Sequence, residues 1–139
     1  TLLASSAASD VYKRQILDEI QHIQGDTGEV TMILFHGNCK SGIFQGEIIP
    51  GGVDTQIKKN GESKKISARY ILKGRDYTGK ECQVFIENNG VVDTEEQLQT
   101  KPIIYTDSEA LKWLEKEKLI GYVCGESESH IRISIFRRN

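Results

Sequence analysis

The stretch from Gly46 to Gly90 constrains the fold of this 139-residue chain more than any other part of it. Runs of β-branched and aromatic residues alternate there with Pro50-Gly51-Gly52, Asn60-Gly61 and Thr78-Gly79. Proline fixes φ, glycine supplies a positive φ, and Asn-Gly is the favoured two-residue loop of tight hairpins. This spacing predicts four short strands in an up-and-down antiparallel meander.

The run from Lys65 to Lys73 has the clearest strand pattern. Its polar residues share one face with Ile71, and the opposite face is formed by Ile66, Ala68, Tyr70 and Leu72. A side-chain period of two is typical of a strand that buries one face.

The composition is that of an ordinary globular protein, with 37% hydrophobic and 27% charged residues. Its length fits one domain with a single core. The net charge of −2, with both signs interspersed, argues against a nucleic-acid partner, which would require a basic face. The apolar runs are too short to cross a bilayer, so we expect no membrane partner.

The cysteines Cys39, Cys82 and Cys124 are odd in number and widely spaced. They match neither a disulfide framework nor a zinc motif, which favours a reducing cytoplasm. The histidines add no metal-ligand spacing, and no phosphate-binding glycine motif is present, so we expect neither a metal nor a cofactor.

Residues 1–15 are interpreted as a non-native, disordered extension. The segment from Ser5 to Gln15 resembles the translation of an adapter used in sequencing libraries. A signal peptide is the alternative, but the segment lacks a basic start and a long apolar core. We therefore expect the native sequence to begin near Ile16 and to form one domain over residues 16–139.

The remaining elements are predicted from local patterns. Residues 16–24 fit a short helix or a strand entering the sheet, and Val30 to His36 is a strongly apolar strand. One α-helix is predicted near residues 107–117, because Thr106 and Glu109 form a capping box before an apolar stripe. Two further strands are predicted near the C-terminus.

Together these elements predict a mainly all-β fold. The expected architecture is a small antiparallel up-and-down β-barrel of about 7–8 strands, with the helix as a lid over one mouth. A two-layer sandwich would use the same strands and is the alternative.

The order of motifs resembles the mainly bacterial family known as domain of unknown function 3237. The resemblance covers nearly everything after Val30. It rests on Gly37, Gly46, the PGGVD run from Pro50 to Asp54 with Gln56, the ARY run from Ala68 to Tyr70, and the FIENNG run from Phe85 to Gly90. It implies a small β-barrel and brings no established activity with it.

Two departures from the family pattern affect function. Thr55 stands where family members often have an aromatic residue, and Glu87 and Asn89 stand where they often have arginines. An anion site built from those arginines would not carry over to this chain.

The candidate ligand-binding residues are Asp54, Gln56, Arg69 and Glu87. If the barrel interior receives their faces, the four side chains converge on a polar patch within an apolar cavity. An inward Arg69 would need a carboxylate partner, because burying an unpaired charge is costly. The alternative is that these residues face solvent or form one ion pair that fixes the strand register.

Three functions follow from this interpretation. The first is a small-molecule-binding barrel with a polar interior site. The second is a cofactor-free isomerase, cyclase or hydrolase that uses a buried carboxylate as its base. The third is an interaction module with a packed interior whose exposed edges form a homodimer.

Overall fold

The computed structural model describes residues 12–92, 98–125 and 130–137, which form nine β-strands. The strands are β1 (Tyr12–Gln24), β2 (Gly28–Lys40), β3 (Phe44–Ile48), β4 (Val53–Lys59), β5 (Lys64–Asp76), β6 (Glu81–Val92), β7 (Leu98–Thr106), β8 (Leu119–Gly125) and β9 (His130–Arg137). They form a single antiparallel sheet in which β1 pairs with both β2 and β9, so the sheet closes into a barrel. The all-β barrel class is confirmed.

The strand count differs from the expected seven or eight because one barrel position is occupied by two strands. Both β3 and β4 pair with β2 on one side and β5 on the other. The segment from Pro50 to Gly52 therefore interrupts one extended path and does not reverse the chain. The backbone hydrogen bonds from Ile49 to Ile71, 2.9 Å, and from Phe35 to Gly52, 3.1 Å, carry the ladders across the break.

This interruption leaves eight positions around the barrel. An even number allows every neighbouring pair, including the closing pair β1–β9, to be antiparallel. Each position neighbours the next one along the chain, so the up-and-down order of the barrel is confirmed. The chain reversal expected at Pro50 to Gly52 is wrong, because β3 and β4 follow one another in line between β2 and β5.

The helix predicted near residues 107–117 is wrong. The described chain contains no α-helix, and this segment holds only a 3₁₀ turn at Lys112–Glu115. The Thr106 hydroxyl donates to the carbonyl oxygen of Gln83 at 2.7 Å, and the Gln83 amide donates to the Asp107 carboxylate at 2.8 Å. Thr106 and Asp107 are therefore engaged by β6, while Glu109, the other residue of the expected capping box, forms an ion pair with Lys112 at 2.9 Å.

The apolar stripe of the same segment still packs inside the barrel. Leu111 and Leu114 are completely or almost completely buried and belong to the main core cluster. A single 3₁₀ turn is enough to turn both side chains inward, so the pattern predicted the burial correctly and the helix type incorrectly.

The core lies inside the barrel, where the apolar face of β5 packs against its neighbours. Tyr70 and Leu72 from β5 pack with Val84 and Ile86 from β6, and Phe35 from β2 meets the Tyr70 ring edge-on at 5.3 Å between centroids. The burial of Ile66, Ala68, Tyr70 and Leu72 shows that this face of β5 points inward, and not the face that carries Arg69.

Residues 16–24 lie within strand β1, so the strand alternative is confirmed over the helix. The extension predicted over residues 1–15 lies outside the described residues up to position 11. Its last four residues, Tyr12 to Gln15, belong to β1, so the expected domain boundary falls inside a strand.

Candidate functional site on the inner face of the barrel

Strand register separates the four predicted site residues onto two faces. Asp54 lies opposite Ala68, and Gln56 lies opposite Ile66, both of which are buried in the interior. Arg69 lies opposite Val53 on one side and Glu87 on the other. Residues directly opposite in a sheet share a face, so Asp54 and Gln56 point inward while Arg69 and Glu87 point outward.

The outward residues form a surface ion pair. The Arg69 Nε lies 2.9 Å from Glu87 Oε1, and the Arg69 side chain is 63% exposed. Asn89 Nδ2 also donates to Glu87 Oε2 at 2.9 Å. The four side chains therefore do not converge on one patch, and Arg69 does not neutralise Asp54.

Asp54 is a carboxylate with few partners. Its Oδ2 accepts a hydrogen bond from Gln56 Nε2 at 2.9 Å, while its Oδ1 is buried with no hydrogen-bond partner among the described residues. Burial raises the pKa of this carboxyl above its usual 3.8, and the Gln56 hydrogen bond and the positive charge of Lys64 only partly oppose that shift.

Two further inward polar residues escaped the sequence analysis. Asn88 lies opposite Ala68 on β6, and Thr100 on β7 lies opposite both Gly90 and Gly121. Asn88 Oδ1 and Thr100 Oγ1 are buried and have no hydrogen-bond partner in the described part of the chain.

Gly121 keeps space open beside these two oxygens. A β-carbon at this position would overlap Thr100 Oγ1 and would lie 3.4 Å from Asn88 Oδ1. The sequence did carry a signal for Asn88, because it follows Val84 and Ile86 on the apolar face of its strand. Thr100 had no such signal, since its inward direction depends on the pairing of β7 with β6.

Tyr70 adds a protonated phenol to the same inner face. Complete burial raises its pKa well above 10.0, and electrostatic repulsion from the neighbouring Cys39 and Asp54 side chains raises it further. The inner face therefore holds a carboxyl group with a raised pKa, a neutral phenol and two acceptor oxygens. Such a set can orient a ligand that donates hydrogen bonds, and it can transfer a proton.

Within the described ranges, no three His, Cys, Asp or Glu side chains lie close enough to bind a metal ion together. No helix in those ranges has the length and apolar character required to cross a bilayer.

The chain is similar to a protein family and to a bacterial relative. A family model described as "Protein of unknown function (DUF3237)" matches residues 15–101. A protein of Clostridium acetobutylicum named as a UPF0311 protein is 33% identical over 58 residues, which is 42% of this chain. The match spans 34% of that relative's length, about a third.

Three solved structures share the fold. A protein of unknown function from Clostridium acetobutylicum has a TM-score of 0.74 at 22% identity, covering 93% of this chain and 94% of its own. A β-barrel-like protein from Acinetobacter baumannii has a TM-score of 0.72 at 16% identity, covering 92% of each chain. A protein from Penicillium herquei described as an enzyme has a TM-score of 0.62 at 13% identity, also covering 92% of each chain.

Proposed function

This chain belongs to the DUF3237 family of proteins of unknown function, and we propose that it is a small-molecule-binding barrel whose ligand contacts Asp54, Asn88 and Thr100. The ligand class is a small molecule with at least two hydrogen-bond donors, such as hydroxyl groups. We also place this function in the cytoplasm, on the support of three widely spaced cysteines.

One observation carries this proposal: three buried oxygens on the inner face have no hydrogen-bond partner among the described residues. Leaving a buried polar group without a partner costs about 1–3 kcal/mol. A ligand that donates hydrogen bonds to these oxygens would recover part of that cost. If the interior served stability alone, apolar residues at the same positions would make the folded state more stable.

The test compares two carboxylates that project from opposite faces of the sheet. We expect phenolic and polyhydroxylated probe compounds to shift the amide resonances of Asp54, Asn88 and Thr100 in ¹H–¹⁵N spectra. The Asp54→Asn substitution should weaken such binding about tenfold, because a hydrogen bond to a charged acceptor contributes about 1.5–3 kcal/mol.

Glu87→Gln is the matched control, since it removes an outward carboxylate from the same sheet. Equal effects of the two substitutions, or shifts confined to the outer face, would contradict an inner site.

The second candidate is a cofactor-free enzyme, an isomerase, cyclase or hydrolase that uses Asp54 as its general base. The raised pKa of Asp54 favours it, because a base works best when its pKa lies near the operating pH. The protonated Tyr70 on the same face would serve as the proton donor. The description of the Penicillium herquei protein as an enzyme is compatible with catalysis on this fold.

The Asp54→Asn variant distinguishes ligand binding from catalysis. If the protein is an enzyme, Asp54→Asn should keep measurable binding of a substrate while its turnover disappears. If binding and turnover fall together, Asp54 contributes to affinity and not to the chemical step.

A further inference from the structure

A groove of about 830 Å³ lies on the outer face of the sheet, where β4, β5, β6 and β7 run side by side. Its lining includes Val53, Thr55, Ser67, Asn89, Val91 and Lys101. Each of these residues projects away from the core, so this outer groove is separate from the inner site around Asp54. Its volume lies within the range of roughly 300–1,000 Å³ that is typical of small-molecule sites.

The floor of the outer groove is a polar row that crosses four strands. Thr55, Ser67, Asn89 and Lys101 lie directly opposite one another in the β4–β5, β5–β6 and β6–β7 pairings. A second row flanks it, in which Ile57 and Val91 provide apolar surface on either side of Lys65. The outer groove therefore combines hydrogen-bonding groups with apolar walls.

The charged side chains that line the outer groove are all basic, and the Glu87 carboxylate beside them is bound by Arg69 and Asn89. Lys59, Lys65, Arg69 and Lys101 line the outer groove, and no acidic side chain is among its described lining residues. Arg69 is paired with Glu87, which leaves three lysines to face the opening. This cluster is notable on a chain whose net charge is −2, because the rest of the surface must be correspondingly acidic.

Ser67 is a polar residue at the centre of the floor of the outer groove. Its Oγ is buried and has no hydrogen-bond partner among the residues that the structure describes. A hydroxyl in this setting can donate to an anionic oxygen placed above it.

From these observations we infer a second ligand site on this protein. The outer groove binds an amphipathic organic anion, a molecule with an apolar body and one carboxylate or sulfonate group. The anionic group lies over Ser67 between Lys65 and Lys101, and the body packs against Val53, Ile57 and Val91. This site faces away from Asp54 and does not depend on the function proposed for the inner face.

The probe is 1-anilinonaphthalene-8-sulfonate, an aromatic sulfonate whose fluorescence rises in apolar sites, with decanoate as the competitor. We expect the probe to bind the full chain, decanoate to displace it, and added salt to weaken it. Replacing Lys65 and Lys101 together with Glu should reduce the affinity about five- to tenfold, and Ser67→Ala should reduce it further.

Lys73→Glu is the matched control, because Lys73 is an exposed lysine on the same face of β5 that does not line the outer groove. It should leave the affinity within about twofold of the parent, since distant exposed charges are screened. Amide shifts should appear at Thr55, Ser67 and Asn89 and should be absent at Asp54 and Asn88.

Three results would overturn the inference. In the first, the control and the double variant lose affinity equally. In the second, the amide shifts map to the inner face, which would count for the inner site instead. In the third, sedimentation shows that two copies of the chain bury the outer groove and exclude the probe.

Discussion

At the scale of single residues, Asp54 and Asp76 respond to the same barrel in opposite ways. Burial raises the pKa of Asp54, with one side-chain hydrogen bond from Gln56 opposing it. The pKa of Asp76 is lowered from 3.8 to about 2, chiefly because the hydroxyls of Thr78 and Ser108 donate to its carboxylate. The number of donors around each carboxylate decides the direction of the shift.

The raised pKa of Asp54 predicts that this residue destabilises the folded protein at neutral pH. The folded state holds the proton more tightly than the unfolded chain, so stability falls as the pH rises from 3.8 through the higher folded pKa. Asp54→Asn should therefore raise the melting temperature at neutral pH and lose this advantage below pH 3.8. If Asp54→Asn is more stable than the parent but binds the ligand more weakly, Asp54 serves ligand binding and not folding. A lower melting temperature at neutral pH would contradict this interpretation.

The lowered pKa of Asp76 predicts that its effect on the stability of the folded protein has the opposite pH dependence. Its stabilising effect is fully present above the unfolded pKa of 3.8 and is lost as the pH falls through about 2. We expect Asp76→Asn to lower the melting temperature at neutral pH, because Ser108 and Thr78 lose a charged acceptor, and to match the parent at the acid end. Asp26→Asn in an exposed turn serves as the control and should leave thermal unfolding unchanged.

At the scale of strands, the barrel depends on close backbone approach where β3 meets β5. A β-carbon on Gly74 would overlap the carbonyl oxygen of Gln45, the residue that precedes its pairing partner Gly46 on β3. A backbone atom cannot rotate away as a side chain can, so only glycine permits this approach.

Gly74→Ala should therefore destabilise the fold by about 3 kcal/mol, at the upper end of the cost of overpacking. Gly42→Ala is the matched control, because a β-carbon there meets no atom within 4 Å. Chemical denaturation of both variants tests this prediction. Equal midpoints would show that β3 can move away from β5 at little cost.

At the scale of the whole molecule, closure of the barrel depends on a short pairing. Strands β1 and β9 are joined through Lys13 to Ile16 opposite His130 to Ile133, four residues on each side. Three of these four β1 residues lie in the segment that the sequence assigns to a non-native extension. The same segment also continues the longer pairing of β1 with β2.

Truncation before Ile16 should open the barrel, whereas truncation before Tyr12 should not. The first variant leaves one of the four β1 pairing positions and exposes the edge of β9, and an exposed edge promotes association. We expect a lower melting temperature and concentration-dependent sedimentation for that variant only. Two variants of equal stability would show that residues 12–15 contribute nothing to closure.

The sequence by itself determined how side chains divide between the two faces of individual strands. The alternation from Lys65 to Lys73 separated the apolar face of β5 from the face that carries Arg69, and the same periodicity placed Asp54 and Gln56 together. Side-chain periodicity is a local property of an extended chain, so it can be read without knowing the neighbours.

Only the tertiary structure decided which strands meet and which polar groups share the interior. Pro50 to Gly52 interrupts a strand because β3 and β4 both find partners in β2 and β5. Arg69 points outward because its chain neighbours Ala68 and Tyr70 are buried in the core. Asp54 and Asn88 share the inner face because both lie opposite Ala68. These outcomes depend on contacts between residues far apart in the chain, whose register no local pattern encodes.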